Sequence, residues 1–184
     1  YNVVELVNDE ISGHIVAMGG SKDNGTGIEH PFVAAFKNNG LDSVFGTNGI
    51  TRIAATTTGP FATAAIWKNN TGFAVVFADP IAGNSQLYHF TPTGNSDNSY
   101  ATSFPCPGTV VFTLAQQSNG QIVYGGHQWL DNTHSLVLVG RLQYYGAVDS
   151  TFARKGYVTY SLYGDSIGSV RGLQILPEGT ILGG

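Results

Sequence analysis

Apolar residues in this chain fall in short runs that end in glycine, and no stretch sustains a helical period. One such run, Gly13-His14-Ile15-Val16-Ala17-Met18-Gly19-Gly20, has counterparts in Gly72-Phe73-Ala74-Val75-Val76-Phe77-Ala78, in Gly120-Gln121-Ile122-Val123-Tyr124-Gly125-Gly126 and in Gly179-Thr180-Ile181-Leu182-Gly183-Gly184. Their starts lie 59, 48 and 59 residues apart. A second apolar element follows each of the first three, at Val33–Gly40, Leu87–Gly94 and Leu138–Gly146. Each then enters an acidic turn in which an aromatic stands three residues after an aspartate: Asp42 with Phe45, Asp97 with Tyr100, Asp149 with Phe152. An aspartate there can accept from backbone N–H groups just downstream, a preceding glycine can supply a positive φ, and the aromatic can anchor the turn in the core. Asp42, Asp97 and Asp149 are therefore expected to be structural.

One more apolar segment precedes each glycine hairpin, at Val3–Val7, Ala62–Trp67, Val110–Leu114 and Val170–Leu176, and a further one follows the acidic turn, as in Ile50–Ile53 and Tyr157–Tyr160. The turn signals Asn119-Gly120 and Glu178-Gly179, with Thr71-Gly72 alike in position, make hairpins of the first two strands. Four short strands per unit, repeated, predict an all-β chain, and the arithmetic is that of a β-propeller of four-stranded antiparallel blades. About three and a half blades are expected, at 1–57, 58–107, 108–166 and the half blade 167–184. A propeller needs at least about four blades to close. Further blades of the same protein, or self-association, are therefore expected to complete the ring.

The motif Gly-x-Ile-Val-x-x-Gly-Gly, followed by a strand ending Asn39-Gly40 and by Leu41-Asp42-x-x-Phe45-Gly46-x-x-Gly49, resembles the bacterial delta-60 repeat, a β-propeller repeat. The resemblance is strongest over 13–49 and 120–156; in the middle unit Ala78-Asp79 replaces the glycine pair and Ser96 the leucine. It implies a part of a bacterial secreted or surface protein, without an assigned reaction.

Composition narrows the function. The 25 glycines are about twice the usual share, and charged residues make up only 11%. With 8 Lys plus Arg against 12 Asp plus Glu, a net charge of −4 and no basic stretch, nucleic acid is excluded as an expected partner. The single cysteine, Cys106, has no partner for an internal disulfide or a zinc site and is expected to pack in the core. The longest apolar run, Phe73–Ala78, is far short of the ~20 residues that span a bilayer, so no membrane span is expected. Few charges beside many Asn, Ser, Thr and Gly fit an extracellular, cell-surface or periplasmic location.

Candidate chemistry concentrates in the connections between second and third strands, which are long and unlike one another: Ser21–His30, Asp79–Ser85 and His127–His134. Variable loops on a rigid repeat are where binding resides. The third is richest, and His127, Trp129, Asp131 and His134 are the candidate binding residues, with protein or glycan as partner. Their irregular spacing does not specify a metal site, and no metal or other cofactor is expected. His14 and His89, inside strands, are expected to be hydrogen-bonded structural residues. There is no Gly-x-Ser-x-Gly elbow, His-Glu-x-x-His or phosphate-binding loop, so a noncatalytic scaffold or binding platform is the leading expectation. The alternative is a glycosidase-like hydrolase on the long-loop face, for which Asp79 and Asp131 are the candidate carboxylates.

Overall fold

The computed structural model describes residues 2–9, 13–22, 25, 29–37, 40–53, 61–68, 71–79, 83–100, 103–162 and 167–184, and for 2–9, 22, 29, 61–63, 66–68 and 79 the backbone alone. Every regular element among them is a β-strand, as the period of the apolar runs requires. The first sheet holds β1 (Asn2–Asp9), β2 (His14–Lys22), β3 (Glu29–Lys37) and the short β4 (Gly40–Leu41) and β5 (Ile50–Arg52), both of which pair with β3. The second holds β6 (Phe61–Lys68), β7 (Gly72–Asp79) and β8 (Asn84–Phe90). The third holds β9 (Thr109–Gln116), β10 (Ile122–Trp129), β11 (Ser135–Leu142) and β12 (Tyr157–Tyr160), and the fourth β13 (Leu173–Ile175) and β14 (Ile181–Gly183). All these ladders are antiparallel, and neighbours in each sheet follow chain order.

Four strands per unit is realised in the third sheet, and in the first if β4 and β5 count as one interrupted strand. The second sheet differs. Where a fourth strand is expected, the described residues give only two isolated bridges to β8, Phe90 with Ser96 and Gln86 with Ser103. Pro105 and Pro107 follow at once, and proline has no N–H to offer a ladder.

The sheets lie against one another in sequence. Strand β6 lies against β1, β2 and β3; β9 against β6, β7 and β8; and β13 against β9 and β10. Two cores result. Val16, Met18, Val33, Ala35 and Phe45 of the first sheet meet Phe73, Val75, Phe77 and Phe90 of the second. Ala74, Val76 and Leu87 on the other side meet Tyr100, Cys106, Val111, Ile122, Tyr124, Leu138 and Leu142. Strand β7 is thus buried on both faces, with odd residues toward one core and even residues toward the other, which explains why Phe73–Ala78 is apolar without interruption. Each large apolar side chain so buried stabilises the fold by roughly 1.5–3 kcal/mol.

The acidic turns keep one hydrogen-bond pattern. The aspartate amide donates to a strand carbonyl, Asp42 to Ala35 at 2.9 Å, Asp97 to His89 at 2.8 Å and Asp149 to Arg141 at 3.2 Å. One carboxylate oxygen then accepts from the amide two residues on, of Val44 at 3.2 Å, Ser99 at 3.0 Å and Thr151 at 3.1 Å. The other oxygen holds a strand side chain: His14 Nε2 at 2.7 Å from Asp42, His89 Nδ1 at 3.1 Å from Asp97, Arg141 Nε at 2.7 Å from Asp149. His14 and His89 are therefore structural, as expected. The expected glycine conformation holds at Gly94 (φ +80°) and Gly146 (φ +77°) but not at Gly40, which lies in β4 without a positive φ. Two of the three aromatics cross to the next sheet. The Phe45 ring stacks on Phe73 with 5.9 Å between centroids, and the Tyr100 hydroxyl donates to the Tyr144 carbonyl. Phe152 is only partly buried, under the Arg141 guanidinium.

Candidate functional site

The sequence places His127 and Trp129 in a loop, whereas the structure places them at the end of β10. Pairing with β11, and with β9 as far as Gln128, carries the strand through Trp129, opposite Ser135. Alternation along the strand sets Val123, Gly125, His127 and Trp129 on the face away from Ile122 and Tyr124. A bulge in β9 leaves Phe112 opposite no single residue of β10, and its ring meets His127 edge-on at 5.2 Å. His127 meets Trp129 in the same way at 4.5 Å. Over the Phe112 ring, 3.7 Å from its centroid, sits the Arg171 guanidinium.

His127 is 5% exposed. Burial first, and then the Arg171 charge, lower its pKa to about 4, so the imidazole is neutral at pH 7. Neither of its ring nitrogens, nor the Trp129 indole N–H, has a hydrogen-bond partner among the described residues. The backbone around them is clamped: Trp129 N donates to the Gly108 carbonyl at 2.9 Å and Gln128 Nε2 to the Pro107 carbonyl at 3.2 Å.

Asp131 and His134 sit in a different setting, the exposed turn between β10 and β11. Asp131 Oδ1 accepts from the Thr133 amide at 2.7 Å, the Thr133 hydroxyl at 2.8 Å and the His134 amide at 2.9 Å, while Oδ2 lies 2.7 Å from His134 Nδ1. These donors, the Thr133 amide foremost, hold the Asp131 carboxyl well below the usual carboxylate range. The carboxylate thus organises its own turn and remains ionised near neutral pH. Among the described residues no group of three or more His, Cys, Asp or Glu is placed to hold a metal ion. Cys106 is buried against Tyr124 and Val111 in the second core. The side chain of Asp79 lies outside the described residues, as do residues 23–24, 26–28 and 80–82 of the other two long connections.

Sequence reasoning missed a cleft at the acidic-turn end of the first two sheets. Gly46 N donates to the Thr93 carbonyl at 2.8 Å and the Thr51 hydroxyl to the Gly94 carbonyl at 2.7 Å, tying the turn before β5 to the turn after β8. Beside these bonds opens a cleft of about 600 Å³ lined by Gly46, Thr47, Ile50–Arg52 and Gly94–Ser96. Its two walls come from separate units, and the only short-range signal was the pair of glycine-containing turns.

No protein-family model matches the chain, and comparison with curated proteins and with solved structures gives no match. Among the described residues no helix is long and apolar enough to cross a membrane.

Proposed function

We propose that this chain is a noncatalytic binding or scaffold module of a bacterial secreted or surface protein, built from consecutive β-propeller blades of the delta-60 type and directed at a protein or glycan. The supporting observation is the use made of the acids. Asp42, Asp97 and Asp149 each cap a turn and hold a strand side chain, and Asp131 is committed to the Thr133 and His134 amides. A glycosidase requires a carboxylic acid poised to donate a proton, with a second carboxyl about 5–9.5 Å away. Asp131 does not fit the proton-donor role, because its donors favour the charged form. The serial docking of sheet on sheet, with Phe45 and Tyr100 each reaching into the next, is the packing that a propeller requires of its blades.

Ring completion by more blades or by a second copy is part of this proposal, since a propeller covers its blade edges and faces by closure. Light scattering on the native particle, with the intact chain mass, tests the assembly: a multiple of 19.4 kDa is expected if copies close the ring. A broad glycoside panel tests the chemistry. Saturable binding without turnover is expected, and hydrolysis lost on Asp131→Asn would overturn the noncatalytic assignment.

A further inference from the structure

The cleft between the first two sheets carries a charge arrangement of its own. Arg52 lines it, and among the described residues no carboxylate pairs with that guanidinium. Elsewhere Arg141 is bound to Asp149 and Arg171 to Ser169 and the Phe112 ring. The remaining lining is neutral and rich in acceptors. The Thr51 hydroxyl donates to the Gly94 carbonyl, the Ser96 hydroxyl to Asn98 Oδ1 at 3.3 Å and Asn95 Nδ2 to Thr93 Oγ1 at 3.2 Å. The Thr51 and Ser96 hydroxyls spend their donors inside the protein and the Asn95 amide spends one of its two N–H groups, which leaves Thr51 Oγ1, Ser96 Oγ and Asn95 Oδ1 as acceptors. Thr47 adds a hydroxyl, and Ile50 is the one large apolar residue of the lining.

A guanidinium fork matches a carboxylate in a bidentate fashion, and acceptors of fixed direction match hydroxyl donors. Beside Arg52 the lining offers one large apolar contact, Ile50, and several hydroxyl and amide groups from Thr47, Thr51, Asn95 and Ser96. A cleft of this volume lies within the range of small-ligand sites. We propose that it binds a carboxylate-bearing sugar, a uronate residue of an acidic saccharide, with Arg52 on the carboxylate and Thr47, Thr51, Asn95 and Ser96 on the sugar hydroxyls. The inference deepens the binding-module proposal and rests on it in one respect, that the saccharide is held without turnover.

Titration calorimetry of the intact chain with trigalacturonate, beside galactotriose, acetate and triglutamate, tests it. Trigalacturonate is expected to bind, and the three controls at least tenfold more weakly. Arg52→Gln is expected to weaken binding about tenfold or more, the equivalent of one charge-assisted hydrogen bond, and Thr47→Val by less. Arg52 is exposed, so circular dichroism and the thermal midpoint of Arg52→Gln should match the parent. No binding of trigalacturonate, unchanged binding by Arg52→Gln, or equal binding of triglutamate overturns the proposal. Reducing ends released during the titration would support the site while overturning the noncatalytic assignment. Binding of other glycans with none of trigalacturonate would leave the module standing and remove this site.

Discussion

Arg141 Nε donates to Asp149 Oδ2 at 2.7 Å, and the Asp149 side chain is wholly shielded from solvent. Gln121 Nε2 reaches the same oxygen at 2.8 Å, and the Thr151 hydroxyl reaches the other at 2.6 Å. Burial pushes the Asp149 carboxyl up, yet the Thr151 hydroxyl, Arg141 and the Thr151 amide together outweigh it and lower the pKa. A depressed carboxylate pKa contributes stability above its unfolded value and loses it as pH falls below. Removing one member of such a pair leaves the other unpaired, so Asp149→Asn should cost about 3 kcal/mol, read as a drop in the urea midpoint. Asp97, whose side chain is 31% exposed, should lose less than half as much on the same change.

The Phe45 ring fills the space that a side chain at position 94 would need. A Cβ on Gly94, where φ is +80°, would lie 2.7 Å from the ring. Gly94→Ala should therefore cost about 1–3 kcal/mol, and Phe45→Ala about 3–5 kcal/mol through the cavity it leaves. Phe45→Leu removes the ring edge that clashes. The double variant Phe45→Leu with Gly94→Ala should thus lose less than the sum of its parts, by more than ~0.5 kcal/mol in a double-mutant cycle. Strict additivity would place the two residues out of contact.

Acid should loosen the junction of the third and fourth sheets before it unfolds the turns. His127 packs between Phe112 and Trp129 near the Arg171 charge, and its pKa is lowered to about 4. The neutral form is the one the fold accommodates, so its contribution is full above the unfolded pKa near 6.5 and is lost as pH falls through about 4. The slope over that window should approach at most about 1.4 kcal/mol per pH unit. Thermal midpoints from pH 7 to 4 should fall for the parent and flatten for His127→Phe; an equal slope in both would show that His127 does not titrate on unfolding.

Asp131 should prove local. Because its oxygens serve Thr133 and His134, Asp131→Asn should shift the backbone amide resonances of those two residues in a proton–nitrogen correlation spectrum. The thermal midpoint should scarcely move, since the turn is exposed. Widespread shifts reaching Phe112 or Trp129 would mean that the turn and the buried aromatic cluster act together.

What the sequence determined by itself was everything set by local geometry. Alternating apolar runs dictate strands, glycine turns dictate hairpins with positive φ at Gly72 and Gly120, and an aspartate followed by an aromatic dictates turns that cap themselves. Each of these depends on residues a few positions apart, whose distances the backbone constrains. Tertiary structure decided what lies between units. Phe73 and Ala74 look alike as members of one apolar run, and only packing sends them to different cores. His127 and Trp129 look like loop residues until pairing with β11, and with β9 as far as Gln128, extends β10 to include them, and nothing near them in sequence announces Arg171 over Phe112. The cleft at Arg52 likewise exists because the turn before β5 and the turn after β8 hydrogen-bond across two sheets. Separations of that kind follow from how sheets stack, a collective outcome of core volume that no short segment encodes.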